Sequence, residues 1–515
     1  MYLTQSLHRS AQQLPDEPAT ICGDRVRTHR EVANRVARLA GALGGLGVTR
    51  GDRVGLLALN SDVFHEYYYG VWWMGGVVNP VNTRWSVQEI VYSLEESGTR
   101  LLIVDDTFAP LVPQLRELWG GIAEVVHCGD GPTPDGMIDY ERLIAGSEPV
   151  EDVRVGGDAL AGLFYTGGTT GFPKGVMLSH GNILSSSHGL VSTSQDTKRG
   201  QSLLHCAPLF HLAALAAWNN QSLLGGCHVF LPAFEPAAVL EEIQKHRLNT
   251  LLLVPAMIQM VVDHPKIADF DLSSVNRVGY GASPISEPLL DRAMAAFPSA
   301  VFSQGYGMTE LAPGACVLTG QDHHDRRLLR SAGRAITCVE VRVVDPQDNE
   351  VPRGSVGEIV VSGPNVMLGY WNKPEETAAA LRGGWMHTGD AGYMDERGYV
   401  FLVDRLKDMI VSGGENVYSA EVENALAKHP SVAACAVIGV PDPQWGERVH
   451  AVIILKPGTA VSEDEIRDHC RTLIAGYKAP RSCEFVDTLP LSPAGKILKR
   501  DLRKPYWDGA ERSVS

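Results

Sequence analysis

At 515 residues the chain is longer than one hydrophobic core usually serves, so two or more domains are expected. Its 44% hydrophobic content supports a globular fold, while a formal charge of −15 and the lack of any long basic run argue against nucleic acid as a partner. Nine scattered cysteines without a Cys-x-x-Cys pair read as reduced side chains, and no signal peptide or apolar run of about 18 residues occurs, so a cytoplasmic protein without a membrane span is expected.

Thr28 and Glu31 have the spacing of a capping box. Val32, Val36, Leu39 and Leu43 then recur at helical spacing until Gly44 and Gly45 end the pattern. A buried strand over 54–59, an apolar helix over 63–73, a strand near Val77, a second capping box at Ser86 and Glu89 and a strand over 101–104 follow. This alternation indicates an α/β fold with helix-flanked parallel sheets.

Leu163 and Phe164 read as the end of a further buried strand, and Val176, Met177 and Leu178 as the start of the next buried segment. Between them runs a loop of glycines and hydroxyls: Thr166, Gly167, Gly168, Thr169, Thr170, Gly171 and, after Pro173, Lys174. Glycines let backbone N–H groups turn towards an anion, threonines add hydroxyl donors and lysine adds charge, so a polyphosphate fits the loop. A surface turn would use the same residues. It is not a Walker loop, which needs Gly-Lys-Ser/Thr opening a helix.

Strand and helix patterns continue over 202–206, 236–246, 250–254 and 287–297. Two strand-end turns share a form, Gly279-Tyr-Gly281-Ala282-Ser283 and Gly305-Tyr306-Gly307-Met308-Thr309-Glu310, and could wall a flat base or acyl group at the carboxyl ends of strands. Tight turns would look alike. Glu310 beside Thr309 and a phosphate site makes sense as a magnesium ligand, the alternative being a solvated surface carboxylate. Over 339–361 short pieces separated by turns indicate a small antiparallel sheet or barrel. The charged stretch 404–408 marks a boundary between an N-terminal domain, 1–406, and a small α+β domain, 407–515, with a helix over 420–428, strands over 433–440 and 449–455, and a third capped helix from Ser462 with Glu465.

The loop and turns, with 208–211, 387–390, 404–408, 412–418 and 493–496 in the same order, resemble the AMP-forming adenylate family of acyl-CoA synthetases, peptide-synthetase adenylation domains and firefly luciferase, over almost the whole chain. The resemblance implies that ATP and AMP are bound by 166–171, Lys174, 281–283, 305–309, Asp390 on the ribose with Arg405 assisting, and Lys496, the adenylation lysine. It further implies that Thr166, Glu310 and His211 serve catalysis, that Lys407 is the hinge of a mobile small domain, and that Gly413 and Gly414 line a pantetheine tunnel. Trp445 and Tyr477 match places where coenzyme A packs in some relatives; they could equally be ordinary small-domain aromatics. Gly167 stands where the family often has serine.

His211, Ala213 and Ala217, with Gly281, Gly305 and Gly307, are expected to line an apolar acyl pocket closed by Trp218, although the alanines could simply pack a helix on a sheet. The implied activity is an acyl-CoA ligase using ATP, Mg2+ and coenzyme A on a medium- or long-chain fatty or aryl acid. Loading of an acyl-carrier protein is the alternative. A non-catalytic sensor of acyl-adenylate is disfavoured because Lys174, Glu310, Asp390 and Lys496 are all present. A homodimer is left open.

Overall fold

The computed structural model describes residues 1–166, 173–194, 198–283, 285–405, 408–412, 415–491 and 497–507. The side chains of Arg405 and Asn416 lie outside this description, as do the expected site residues 167–171, Lys407, Gly413, Gly414 and Lys496.

Two large sheets carry the α/β architecture. In one, Pro18–Cys22, Cys227–Phe230, Ser202–His205, Thr250–Leu253, Arg277–Gly281 and Val301–Gly307 run parallel, with antiparallel strands on both edges. In the other, Leu160–Thr166, Val77–Pro80, Arg53–Leu57, Leu101–Val104 and Glu124–His127 run parallel. Its next strand, Lys174–Ser179, is antiparallel to Leu160–Thr166, so a uniformly parallel reading fails at this edge and the Gly/Thr loop is the connection of a hairpin. A four-stranded antiparallel sheet of Glu340–Val344, Gly357–Ser362, Met386–Met394 and Val400–Arg405 follows. Beyond it, a five-stranded sheet packs with the helices Ser419–Leu426 and Glu463–Leu473 around a separate core. All three capping boxes form, with Thr28, Ser86 and Ser462 each accepting from the N–H of the glutamate three residues on.

Every residue of the helix Asp62–Trp73 is buried, because both large sheets pack on it. The Tyr67 hydroxyl donates to the Val54 carbonyl in one sheet at 2.7 Å, while the Tyr68 hydroxyl reaches the Leu209 carbonyl near the other at 2.7 Å. A buried carboxylate must be paired. Asp62 takes Arg25 at 2.9 Å as well as Arg27, and Glu66 takes Arg35 at 3.0 Å and the Tyr140 hydroxyl at 2.9 Å. All nine cysteines are free. Among the described residues no helix is long and apolar enough to cross a membrane.

Histidines add a pH dependence to this core. The rings of His205 and His228 meet at 2.9 Å, and the Trp218 indole N–H donates to His65 at 3.0 Å. Burial pushes His205 down to about 3, and His29 and His180 each down to about 4. An unfolded chain takes up these protons below about pH 6.5 whereas the folded chain does not, so stability is complete above that value and is lost as pH falls towards 4. Each such histidine contributes a slope of about 1.4 kcal/mol per pH unit in the window. Thermal unfolding should therefore show a Tm at pH 5 well below that at pH 7, with a shallower fall in His205→Gln; equal Tm values at the two pH values would refute the burial of these rings.

Candidate active site

A cleft of roughly 2700 Å³ takes in the carboxyl ends of the parallel strands, runs back along Thr250–Leu253 and Arg277–Gly281 to their first residues, and extends to the small C-terminal sheet unit. Thr166 and Lys174 face each other in register at the base of the Gly/Thr loop, on adjacent antiparallel strands. The Lys174 ammonium stands 5.0 Å from the centre of the Tyr370 ring, and the Tyr370 hydroxyl donates to Glu310 at 2.7 Å. Burial, and then the Glu310 charge, push the Tyr370 phenol up. Glu310 is itself buried, against the reading of a solvated surface carboxylate. Cation, aromatic face and carboxylate thus form one contiguous group, of which Glu310 lines the cleft, although Tyr370 carried no signal in the sequence.

The two glycine-rich turns lie side by side, with Gly281 opposite Gly305 on parallel strands. A Cβ on Gly281 would come within 2.4 Å of the Gly305 carbonyl oxygen, and one on Gly307 within 1.7 Å of the Pro313 carbonyl oxygen. Those two glycines are required by the close approach of backbones. At Gly305 a Cβ meets nothing within 4 Å. Of the three glycines expected to shape an acyl pocket, Gly305 alone leaves open space, so a side chain at Gly281 would displace a neighbouring strand rather than fill a wall. Ala282, at φ +67, turns the chain sharply, and it lines the cleft together with Ser283, Tyr306, Met308 and Thr309.

Asp390 lies in Met386–Met394 opposite Arg405. The Tyr306 hydroxyl donates to its carboxylate at 2.8 Å, and burial, then this carboxylate, push the phenol well up. The residues before Asp390 are used to hold it. His387 meets Glu358 at 2.9 Å, Gly389 takes φ +70 and donates its N–H to the other Glu358 oxygen at 3.0 Å, and the Thr388 hydroxyl accepts from the Asp390 N–H at 3.1 Å. Neither Glu358 nor the Tyr306 contact was legible beforehand, since both depend on strand register.

His211 stands at the position just before the helix Leu212–Leu223, its ring centre 4.3 Å from that of Phe210. Ala213 and Ala217 line the cleft beside it, as expected. Trp218 does not close the pocket: it is fully buried on the opposite face against Tyr68, Tyr69 and Trp72. In the C-terminal unit Trp445 is half-buried with the Arg481 guanidinium 4.4 Å over its ring, and Tyr477 is exposed. Among the described residues no group of three or more His, Cys, Asp or Glu side chains gathers to hold a metal ion.

The chain matches the AMP-binding enzyme family over residues 7–371 and the AMP-binding enzyme C-terminal domain over residues 421–496. It is 43% identical over 504 residues to a feruloyl-CoA synthase of an Amycolatopsis species, covering 97% of this chain and 98% of that protein. To the fatty acid–[acyl-carrier-protein] ligase ScoC of Streptomyces coeruleorubidus it is 36% identical over 518 residues, covering 100% of this chain and 98% of that one. Among solved structures, ATP-bound MatB from Rhodopseudomonas palustris aligns with a TM-score of 0.89 at 31% identity, covering 99% of this chain and 100% of that chain. Fold and cleft together define the class of adenylate-forming enzymes. The chain belongs to the AMP-binding enzyme family, as an acid–thiol ligase of the AMP-forming acyl-CoA ligase group.

Proposed function

We propose that the chain condenses a medium- or long-chain fatty acid or an aryl acid with ATP, releasing pyrophosphate, and passes the acyl group to the thiol of coenzyme A. One observation carries the substrate reading: Gly305, Ala213 and Ala217 open small apolar surfaces into the same cleft as Thr166, Glu310 and Asp390. A carboxylate is a poor electrophile. Its oxygen attacks the α-phosphorus, the bond to the pyrophosphate oxygen breaks, and the acyl-adenylate forms; the thiol then attacks the acyl carbon and AMP leaves. Negative charge gathers on phosphate in the first step, where fixed cations and donors are worth most.

In this reading Thr166, Lys174 and the loop 167–171 hold phosphates, Asp390 and Arg405 hold the ribose, and His211 borders the acid. Lys496 enters for adenylation. The small domain, 407–515, then turns about Lys407 and brings Gly413, Gly414, Trp445 and Tyr477 to coenzyme A. Glu310 suits magnesium, because that ion keeps several waters and takes one or two carboxylates beside substrate phosphates. It would neutralise phosphate charge there, held by Glu310.

The test is pyrophosphate release across a panel of acids, with and without coenzyme A. Each buried methylene is worth about 0.8 kcal/mol, so octanoate or a cinnamate-type acid should far exceed acetate in kcat/KM. Gly305→Leu should lower the larger acids by roughly tenfold or more while sparing acetate. Acetate as the best substrate would overturn the pocket, and turnover only with an acyl-carrier protein would replace coenzyme A as the acceptor.

A further inference from the structure

Behind the base of the Gly/Thr loop, outside the cleft, lies an acidic side chain that the adenylation scheme does not use. Glu96 sits near the end of the helix Val87–Ser97, and one of its carboxylate oxygens accepts the Tyr165 hydroxyl. Its backbone carbonyl accepts the Trp371 indole N–H at 2.9 Å, and the Trp371 backbone N–H donates to the Gly175 carbonyl at 2.8 Å. One residue of the helix is therefore tied to both strands of the hairpin, to Leu160–Thr166 through its side chain and to Lys174–Ser179 through Trp371.

The fit at this point is close. Tyr165 pairs in register with Gly175, and a Cβ on Gly175 would stand 3.0 Å from the Tyr165 ring, so the ring lies over bare backbone. Trp85 packs edge-to-face with the same ring, its ring centre at 6.2 Å and the interplanar angle 82°. The second Glu96 oxygen is buried without a hydrogen-bond partner among the described residues, and burial pushes this carboxyl up. An apolar pair of the same shape would satisfy packing alone without burying a carboxylate. What the carboxylate adds is direction.

We propose that Glu96 is a positioning residue for adenylation, acting through Tyr165 to set the strand ends that carry Thr166 and Lys174. This rests on the reading of those two residues as phosphate ligands. Tyr165→Phe keeps the ring and removes the tie. Its kcat/KM for ATP in pyrophosphate release should fall on the order of tenfold, with KM for the acid and conversion of supplied acyl-adenylate to acyl-CoA near wild type. Glu96→Gln keeps an acceptor oxygen and should restore most of the activity that Glu96→Ala loses. The double variant Glu96→Ala/Tyr165→Phe should be no worse than the worse single one, because the two act as a unit. Unchanged ATP kinetics in Tyr165→Phe, additive losses in the double variant, or equal losses in both half-reactions would overturn the clamp while leaving the phosphate reading standing. No ATP-dependent pyrophosphate release by the wild-type enzyme with any acid would overturn both.

Discussion

Lys496→Ala is expected to slow acyl-adenylate formation by roughly a hundredfold to a thousandfold, while conversion of a supplied acyl-adenylate to acyl-CoA proceeds at nearly the wild-type rate. A cation is needed only while charge builds on the α-phosphate and pyrophosphate departs, so its removal should spare the step in which AMP leaves. Neighbouring residues show how this part of the chain is anchored. Ile497 bridges to Leu491, and in the helix that follows Lys499 pairs with Glu423 at 2.8 Å and Arg503 pairs with Asp408. Because those anchors remain in Lys496→Ala, a lost rate reports the missing charge rather than a lost helix. Pyrophosphate release and thioester formation, measured separately, decide the matter: equal losses in both would remove Lys496 from its role.

The opposite selectivity is expected of Lys407→Pro. Proline fixes φ, so a joint that must change torsion between half-reactions is held in one state. Asp404, just before the proposed pivot, accepts from both the backbone N–H and the hydroxyl of Ser419, the latter at 2.7 Å, at the start of the helix Ser419–Leu426. Rotation at Lys407 must break or carry that pair, which makes the site sensitive to a stiffened backbone. Thioester formation should fall by roughly a hundredfold with adenylation retained. A variant that makes acyl-CoA at the normal rate would place the pivot elsewhere.

Local signals in the sequence transferred well to the structure. The capping boxes at Thr28, Ser86 and Ser462 involve residues three apart and form regardless of what packs on them. Features decided by distant neighbours did not transfer. The helix Leu212–Leu223 is apolar on more than one face, so spacing alone could not tell that Ala213 faces a cleft and Trp218 a core. Gly281, Gly305 and Gly307 sit in the same Gly-x-Gly pattern, yet the carbonyls of Gly305 and Pro313 crowd two of them and leave the third open. Short apolar runs are also silent about direction, hence the antiparallel Lys174–Ser179 was not foreseen. Glu310 could be linked to a phosphate site by chemistry, whereas Glu96 lies far from the motifs in sequence and reaches Tyr165 only through the fold.

The helix Asp62–Trp73, enclosed on every side, has a consequence for how the molecule is made. Its tyrosines bond to backbone in or beside both large sheets, so neither sheet presents a finished surface without the other. The strand Pro18–Cys22 emerges early in synthesis yet pairs with Cys227–Phe230, which emerges much later. Contacts so distant along the chain close late and slowly. The two large sheets therefore mature together, and an excised half would expose a helix built to have no wet side, a surface prone to aggregate.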